Sequence, residues 1–339
     1  MSKIKSKYFM CGFDGMDFPV LKSNIVHFPN LGKLWKRSCR GTMYSKAKIT
    51  GISWTSIYTG VHKEKHGIRD MWGRKTDKSL DFVSTKQKYI WDYFNKHGLT
   101  TAVFNMPVTH PLRSVSGWLV SGFPAPTNSK IAFPDSIADD LPPDYLVDWI
   151  NSCMKDRDLH PQVWIKETFD LTTFLEDLER MELARVETFI DLCKKHPTDT
   201  HFFQSTVIDR VLHIQGITNN NDVRVYRIAD KIIKRIFKEF EPERFQIVSD
   251  HGGWDKQHTH TATWLTAGVS IKPGEILPPG TVKTNEVDVL PTALFWMGFA
   301  PPAGDPFDGE IFYDAFITDL NEEEQKKIED QLRALGYLD

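Results

Sequence analysis

The sequence is poor in the features that announce an address or a cofactor. It has only four cysteines (Cys11, Cys39, Cys153 and Cys193) and no CxxC pair. Such scatter disfavours a cysteine-built zinc site or a disulfide framework. It is the pattern of reduced, mostly buried thiols in a cytoplasmic protein. No apolar run approaches the roughly 20 residues of a membrane-spanning helix. The first residues, MSKIKSK, are basic, but the apolar run after them is short and is broken by Asp14. A secretory signal needs a longer apolar stretch. Charge of one sign is also missing: 42 basic against 45 acidic residues give a net charge of −3. That removes any bulk drive toward nucleic acid or an anionic membrane. There are no internal repeats and no low-complexity tracts.

What is present is core. Hydrophobic residues make up 40% of the 339 and charged residues 26%, enough for one large domain or two smaller ones. The stretch from Lys48 to Ile68 stands out. Thr50 follows the basic run Lys46–Lys48 and precedes Gly51, a residue that permits close backbone approach. A strand-to-helix turn at this place would present free N–H groups to an anion. A hydroxyl there can attack phosphorus or sulfur if something lowers its pKa. The plain alternative is that Thr50 is a helix N-cap.

Along the chain, short apolar runs alternate with helical spacings. Residues 7–13 read as a buried strand ending at Asp14, and residues 29–38 as a helix. Residues 41–44 read as a strand leading to Thr50, and residues 89–97 as a helix closed by Gly98. Residues 101–105 and 118–122 read as two more strands, and residues 69–85 as a polar loop. After an acidic helical stretch at 170–194, strands return at 200–208 and 244–249. They lead to Asp209 and His213, and to Asp250 and His251. His258 and His260 precede a strand at 263–267. Helices are expected at 223–240, at 287–298 and, capped and charged, at the end of the chain. This is the β/α alternation of a mostly parallel sheet flanked by helices. We expect a catalytic core from 1–125 and 198–318, an inserted helical cap over 126–197, and a C-terminal helix over 319–339. The inserted stretch either shapes a substrate pocket or only covers one sheet face.

Asp14, Thr50, Asp209/His213 and Asp250/His251 each follow an apolar run. In a parallel sheet such ends converge on one edge. Oxygen and imidazole donors without cysteine suit Zn²⁺, with Mn²⁺ as the alternative. Two such ions can clamp attacking and leaving oxygens. Each piece has a bland reading, such as a DG turn or an i, i+4 helix pair. Jointly those readings are hard to sustain.

The motifs resemble the alkaline phosphatase superfamily, especially its type I phosphodiesterase/nucleotide pyrophosphatase and predicted phosphohydrolase branches. Phe13-Asp14-Gly15, Thr50 with WTSIYTG at 54–60, and HGI at 66–68 carry the likeness. So do DRVLH at 209–213, SDHG at 249–252, GVSIKPG at 268–274, DVLPT at 288–292 and LGYL at 335–338. The resemblance implies that Asp14, Thr50, Asp250 and His251 hold one metal. It implies that Asp209, His213 and a late histidine hold the other; His258 fits that spacing best and His260 is its close rival. It further implies that Thr50 Oγ, activated by metal, attacks phosphorus to give a covalent phosphothreonine that water hydrolyses. The expected activity is phosphodiester or pyrophosphate hydrolysis of a small phosphorylated substrate, a nucleotide among the options. A phosphomonoesterase or phosphomutase is the enzymatic alternative, and a catalytically idle metal-binding domain the third reading. The chain departs from its relatives in two places. Sulfatases carry C/S-x-P-x-R at the nucleophile, where this chain has Thr50-Gly-Ile-Ser. Nucleotide pyrophosphatases place a phosphoryl-binding Asn where this chain has Ser53, the candidate substrate-binding residue here.

Overall fold

In the computed structural model, residues 2–70, 85–125, 129–143, 145, 147, 171–218, 223–275, 284–300 and 307–316 are described. The expected C-terminal helix, most of the polar loop and much of the expected 126–197 cap lie outside them.

The strands in chain order are β1 Ile4–Ser6, β2 Tyr8–Phe13, β3 Cys39–Tyr44, β4 Thr101–Met106, β5 Gly117–Ser121, β6 Ala132–Phe133 and β7 Thr200–Ser205. They continue with β8 Phe240–Pro242, β9 Arg244–Val248, β10 Gly252–Trp254, β11 Gln257–Thr259, β12 Thr261–Gly268, β13 Gly274–Glu275 and β14 Thr284–Asn285. The central sheet runs β13-β3-β12-β9-β2-β7-β4-β5-β6, with β14 also paired to β3. Its middle, β9-β2-β7-β4-β5, is parallel throughout.

Every side chain of β2, β4 and β7 is buried, because both faces of a parallel sheet are covered by helices. Alternation divides these residues between two cores. Phe9, Cys11 and Phe13 of β2 face one core with Phe104, Phe203 and the helix Arg224–Glu239. Tyr8 and Met10 face the other with Val103, Phe202, Trp54 and the helix Val289–Trp296. The helix Leu171–Lys195 puts Phe174, Leu178, Val186, Phe189 and Ile190 into the first core. Its buried Glu182 accepts hydrogen bonds from Arg185 at 2.6 Å and from Ser205 Oγ. This part of the expected cap therefore packs on the sheet.

The sheet departs from a uniform parallel arrangement at one strand that matters. β12 runs antiparallel to both β3 and β9. It therefore begins at the edge where β2, β3, β7 and β9 end. In an all-parallel sheet, a histidine before β12 would lie at the far edge.

The helix Thr50–Thr59 follows β3 and is buried along its whole length. It is braced from below by the turn Glu286–Asp288. Glu286 accepts from the Lys46 amide at 3.2 Å, and the Ser45 and Ser53 hydroxyls, 3.0 Å apart, lie against its carboxyl. Burial lifts that carboxyl from its ordinary 4.5 to about 7, against the lowering effect of the two hydroxyls and of Lys46. The unfolded chain loses this proton before the folded one does. Stability from this group thus falls as pH rises from about 4.5 to about 7 and is level beyond, a change of about 3 kcal/mol. We expect Glu286→Gln, which cannot ionise, to gain about 2–3 kcal/mol over the wild type between about pH 5 and about pH 8. Urea unfolding at the two pH values measures it, and an unchanged difference would show that Glu286 is ordinary.

Candidate metal centre

The site is assembled at the carboxyl edge of three adjacent parallel strands. β2 delivers Asp14, β9 delivers Asp250 and His251, and β7 runs through Thr206 into the helix Val207–Gln215. Asp209 and His213 therefore lie on a helix, in its first and last turns, not at a strand end, one helical turn apart and on one face. Two backbone bonds weld the exits together: Asp14 N–H donates to Ser205 O at 3.0 Å, and Asp209 N–H to Asp14 O at 3.2 Å. Gly15 N–H donates to Asp250 Oδ1 at 3.3 Å.

His258 arrives from the opposite direction on the hairpin β10–β11, just ahead of the antiparallel β12. Its Nε2 lies 3.0 Å from His213 Nε2 and 3.2 Å from Asp209 Oδ1. His213 Nε2 is 3.3 Å from the same oxygen. On the other side, His251 Nε2 lies 3.3 Å from Asp14 Oδ1, 3.3 Å from Asp250 Oδ2 and 3.9 Å from Asp209 Oδ1. The donors thus form two groups, Asp209/His213/His258 and Asp14/Asp209/His251. Asp209 belongs to both, and Asp250 sits against the second. His260 takes a different course: its Nδ1 bonds Ser45 O at 2.6 Å and its ring stacks on Tyr44.

The hydrogen bonds at the back of two imidazoles set their fronts. His258 Nδ1 donates to Lys48 O at 2.8 Å, and His251 Nδ1 to Gly252 O at 3.0 Å. Each leaves its Nε2 lone pair aimed into the site, the arrangement of metal-ligating histidines.

Asp14 Oδ1, Asp209 Oδ1, Asp250 Oδ2 and His251 Nε2 are buried without a hydrogen bond. Orphaned buried polar atoms are costly, and here four converge. Burial, then the Asp14 and Asp209 charges, push the Asp250 carboxyl well up. Burial also raises Asp209, but the His213 and His258 rings, 3.3 and 3.2 Å from its Oδ1, outweigh it and hold that carboxyl well below the usual range. Three carboxylates and three imidazoles form a set that divalent cations satisfy. The residues therefore fit a metal centre.

Thr50 is bracketed by the same cluster. Two residues before it, Lys48 is in the left-handed region (φ 52°), which turns its carbonyl to His258. One turn after it, Trp54 Nε1 donates to Asp14 Oδ2 at 3.4 Å. The N-cap is Ile49, with no side-chain cap, so Thr50 is not the cap. Thr55 and Thr59 return their hydroxyls to Gly51 O and Thr55 O, 2.7 Å each. Among the described residues, the Thr50 hydroxyl has no such partner. Ser53 is fully buried and bonds Ser45. Sequence reasoning missed Glu286 beneath it, since a lone Glu before a helix looks solvent-facing.

Comparison with known proteins agrees with this geometry. No curated protein sequence matches the chain. Among solved structures, murine ectonucleotide pyrophosphatase/phosphodiesterase 5 in complex with AMP is similar in fold (TM-score 0.53, 11% identity, 90% of this chain and 97% of that one). So is a putative sulfatase from Bacteroides thetaiotaomicron (TM-score 0.56, 11% identity, 92% and 74%). A third is a phosphonate monoester hydrolase from Silicibacter pomeroyi (TM-score 0.51, 13% identity, 94% and 78%). The sequence model for type I phosphodiesterase/nucleotide pyrophosphatase matches residues 9–278. The chain therefore belongs to the type I phosphodiesterase/nucleotide pyrophosphatase family, on an alkaline-phosphatase-like fold, and is a phosphoric ester hydrolase of that type.

Proposed function

We propose that this protein hydrolyses a phosphodiester or pyrophosphate bond of a small phosphorylated substrate through a covalent phospho-Thr50 intermediate. The observation that carries the reading is the convergence of four orphaned buried ligand atoms, with the segment on either side of Thr50 tied to them through Lys48 O to His258 and Trp54 Nε1 to Asp14. Asp14, Thr50, Asp250 and His251 would hold one divalent ion, and Asp209, His213 and His258 the other, with Zn²⁺ ahead of Mn²⁺. Bound cations supply the charge that lowers the Thr50 hydroxyl pKa and stabilises the developing negative charge on the phosphoryl group. Thr50 Oγ attacks phosphorus, the P–O bond to the leaving group breaks, and water later cleaves the phosphothreonine. The first helix turn offers the Thr50 and Gly51 amides to phosphoryl oxygens. That Thr50 is not set in C/S-x-P-x-R favours phosphoryl over sulfuryl transfer.

The AMP-bound neighbour makes a nucleotide the first substrate class to try. Ser53 would contact phosphate only if its hydroxyl turns from Ser45. The buried free thiols Cys11, Cys39 and Cys193 support a reducing, cytoplasmic setting.

A panel of bis-p-nitrophenyl phosphate, p-nitrophenyl phosphate and p-nitrophenyl sulfate, with Zn²⁺ or Mn²⁺ added, separates the readings. Diester turnover is expected to lead. Monoester turnover in its place would favour the phosphomonoesterase alternative. Thr50→Ala should keep its metal and lose turnover by about 10³-fold or more, whereas Thr50→Ser should retain measurable activity. Near-normal turnover in Thr50→Ala would rule Thr50 out as nucleophile. Of the two late histidines, His258→Ala should lose about one bound ion by elemental analysis and His260→Ala none; the reverse result would exchange their assignments.

A further inference from the structure

Three donor-bearing segments meet at one carboxylate that is itself outside the donor set. Asp17 is buried, three residues after Asp14. Its Oδ1 accepts from Val20 N–H at 3.1 Å, capping the helix Phe18–Asn24. Its Oδ2 accepts from Thr259 Oγ1 at 2.8 Å and from Thr261 Oγ1. Those two hydroxyls are 2.8 Å apart, and Asp17 N–H donates to Tyr226 OH at 3.1 Å. Thr259 is next to His258, and pairs across the hairpin with Gly252, which is next to His251. A Cβ on Gly252 would stand 2.3 Å from Asp17 Oδ2 and 2.4 Å from Thr259 Oγ1. Only glycine lets the carboxylate come so close.

The hairpin needs such a tie. β10 and β11 have three residues each, and a two-stranded hairpin is marginal alone. Its turn residues Asp255 and Lys256 have φ of 44° and 66°, a conformation that Asp tolerates but that is disfavoured for Lys. Thr259 and His258 point to opposite faces of β11. Fixing the Thr259 face thus fixes His258 toward Asp209 and His213.

Resting on the metal-centre reading above, we propose that Asp17 is a positioning residue that clips the β10–β11 hairpin and so holds His258, and with it the second ion, in place. Asp17 belongs to neither donor group. Its charge-assisted bonds to two hydroxyls do for the site what outer partners of metal-ligating histidines do.

Asp17→Ser keeps a capping side chain but is too short to reach both threonines. Thr259→Val removes one donor at nearly constant volume and guards against a folding failure of the first variant. Two readouts are needed. The first is hydrogen–deuterium exchange over residues 252–261 in chelator-treated protein. Both variants should exchange faster there, with the strands β2, β7 and β9 unchanged. The second is zinc affinity by chelator competition, expected to weaken by about tenfold to a hundredfold. Wild-type exchange in the hairpin of both variants would overturn the clip, as would wild-type zinc affinity in both. A wild-type protein that binds no divalent ion would instead overturn the metal-centre reading, and the exchange data would still judge the clip.

Discussion

Three carboxylates, Asp14, Asp209 and Asp250, are buried together at one sheet edge, and much of the surrounding structure answers that repulsion. Like charges at such distances cannot all remain ionised in a low dielectric without a counter-charge. The protein supplies three imidazoles, one from each of three different elements, yet leaves key atoms without hydrogen bonds. A folded chain tolerates such a cost where function demands it. The welded exits of β2 and β7, the Asp17 clip and the left-handed Lys48 all serve to keep these groups together. Bound cations would convert the cost into stability, because ligands that bind only the folded state stabilise it.

The direction of one strand decides whether the sixth donor can take part. Parallel β9, β2 and β7 bring Asp250/His251, Asp14 and Asp209/His213 to a common edge by the general rule for such sheets. His258 precedes its strand instead of following it. The antiparallel setting of β12 reverses that strand's ends and brings its beginning to the same edge. β3, paired antiparallel on the other side of β12, then also ends there and feeds Thr50 into the site.

Much of this was legible in the sequence, for a physical reason. Buried strands read as apolar runs, and a donor straight after such a run marks the carboxyl edge. Asp14, Asp250 and His251 were found in that way, and the strands and helices on either side of them follow the expected alternation. Asp209 showed the limit: its apolar run 200–208 contains both the end of a strand and the start of a helix, and hydrophobicity does not mark the join. The choice between His258 and His260 was not legible, because two residues apart on an extended chain they share a face. What separates them is the partner each meets, Lys48 O for one and Ser45 O with Tyr44 for the other. Asp17 and Glu286 were invisible for the same reason. Their roles come from contacts more than 200 residues away in sequence, and a lone acidic residue before a helix carries no sign of them.

The balance of charge in the chain and the charge at the site point in opposite directions. A net charge of −3 offers no attraction for a phosphate ester at long range, and salt screens what remains beyond about 10 Å. Locally the terms change sign. The free amides at the start of the Thr50 helix carry the positive end of its dipole. Lys46 and Lys48 stand just before it, and neither forms an ion pair among the described residues. Burial raises the carboxyl of Glu286, beneath the helix, to about 7, so its opposing charge is only partly present near neutral pH. With two divalent cations added, the pocket becomes positive inside a slightly acidic protein. Recognition of the phosphoryl group would then rest on short-range contacts at the helix N-terminus and the ions, and selection among phosphate esters on whatever lies over that point.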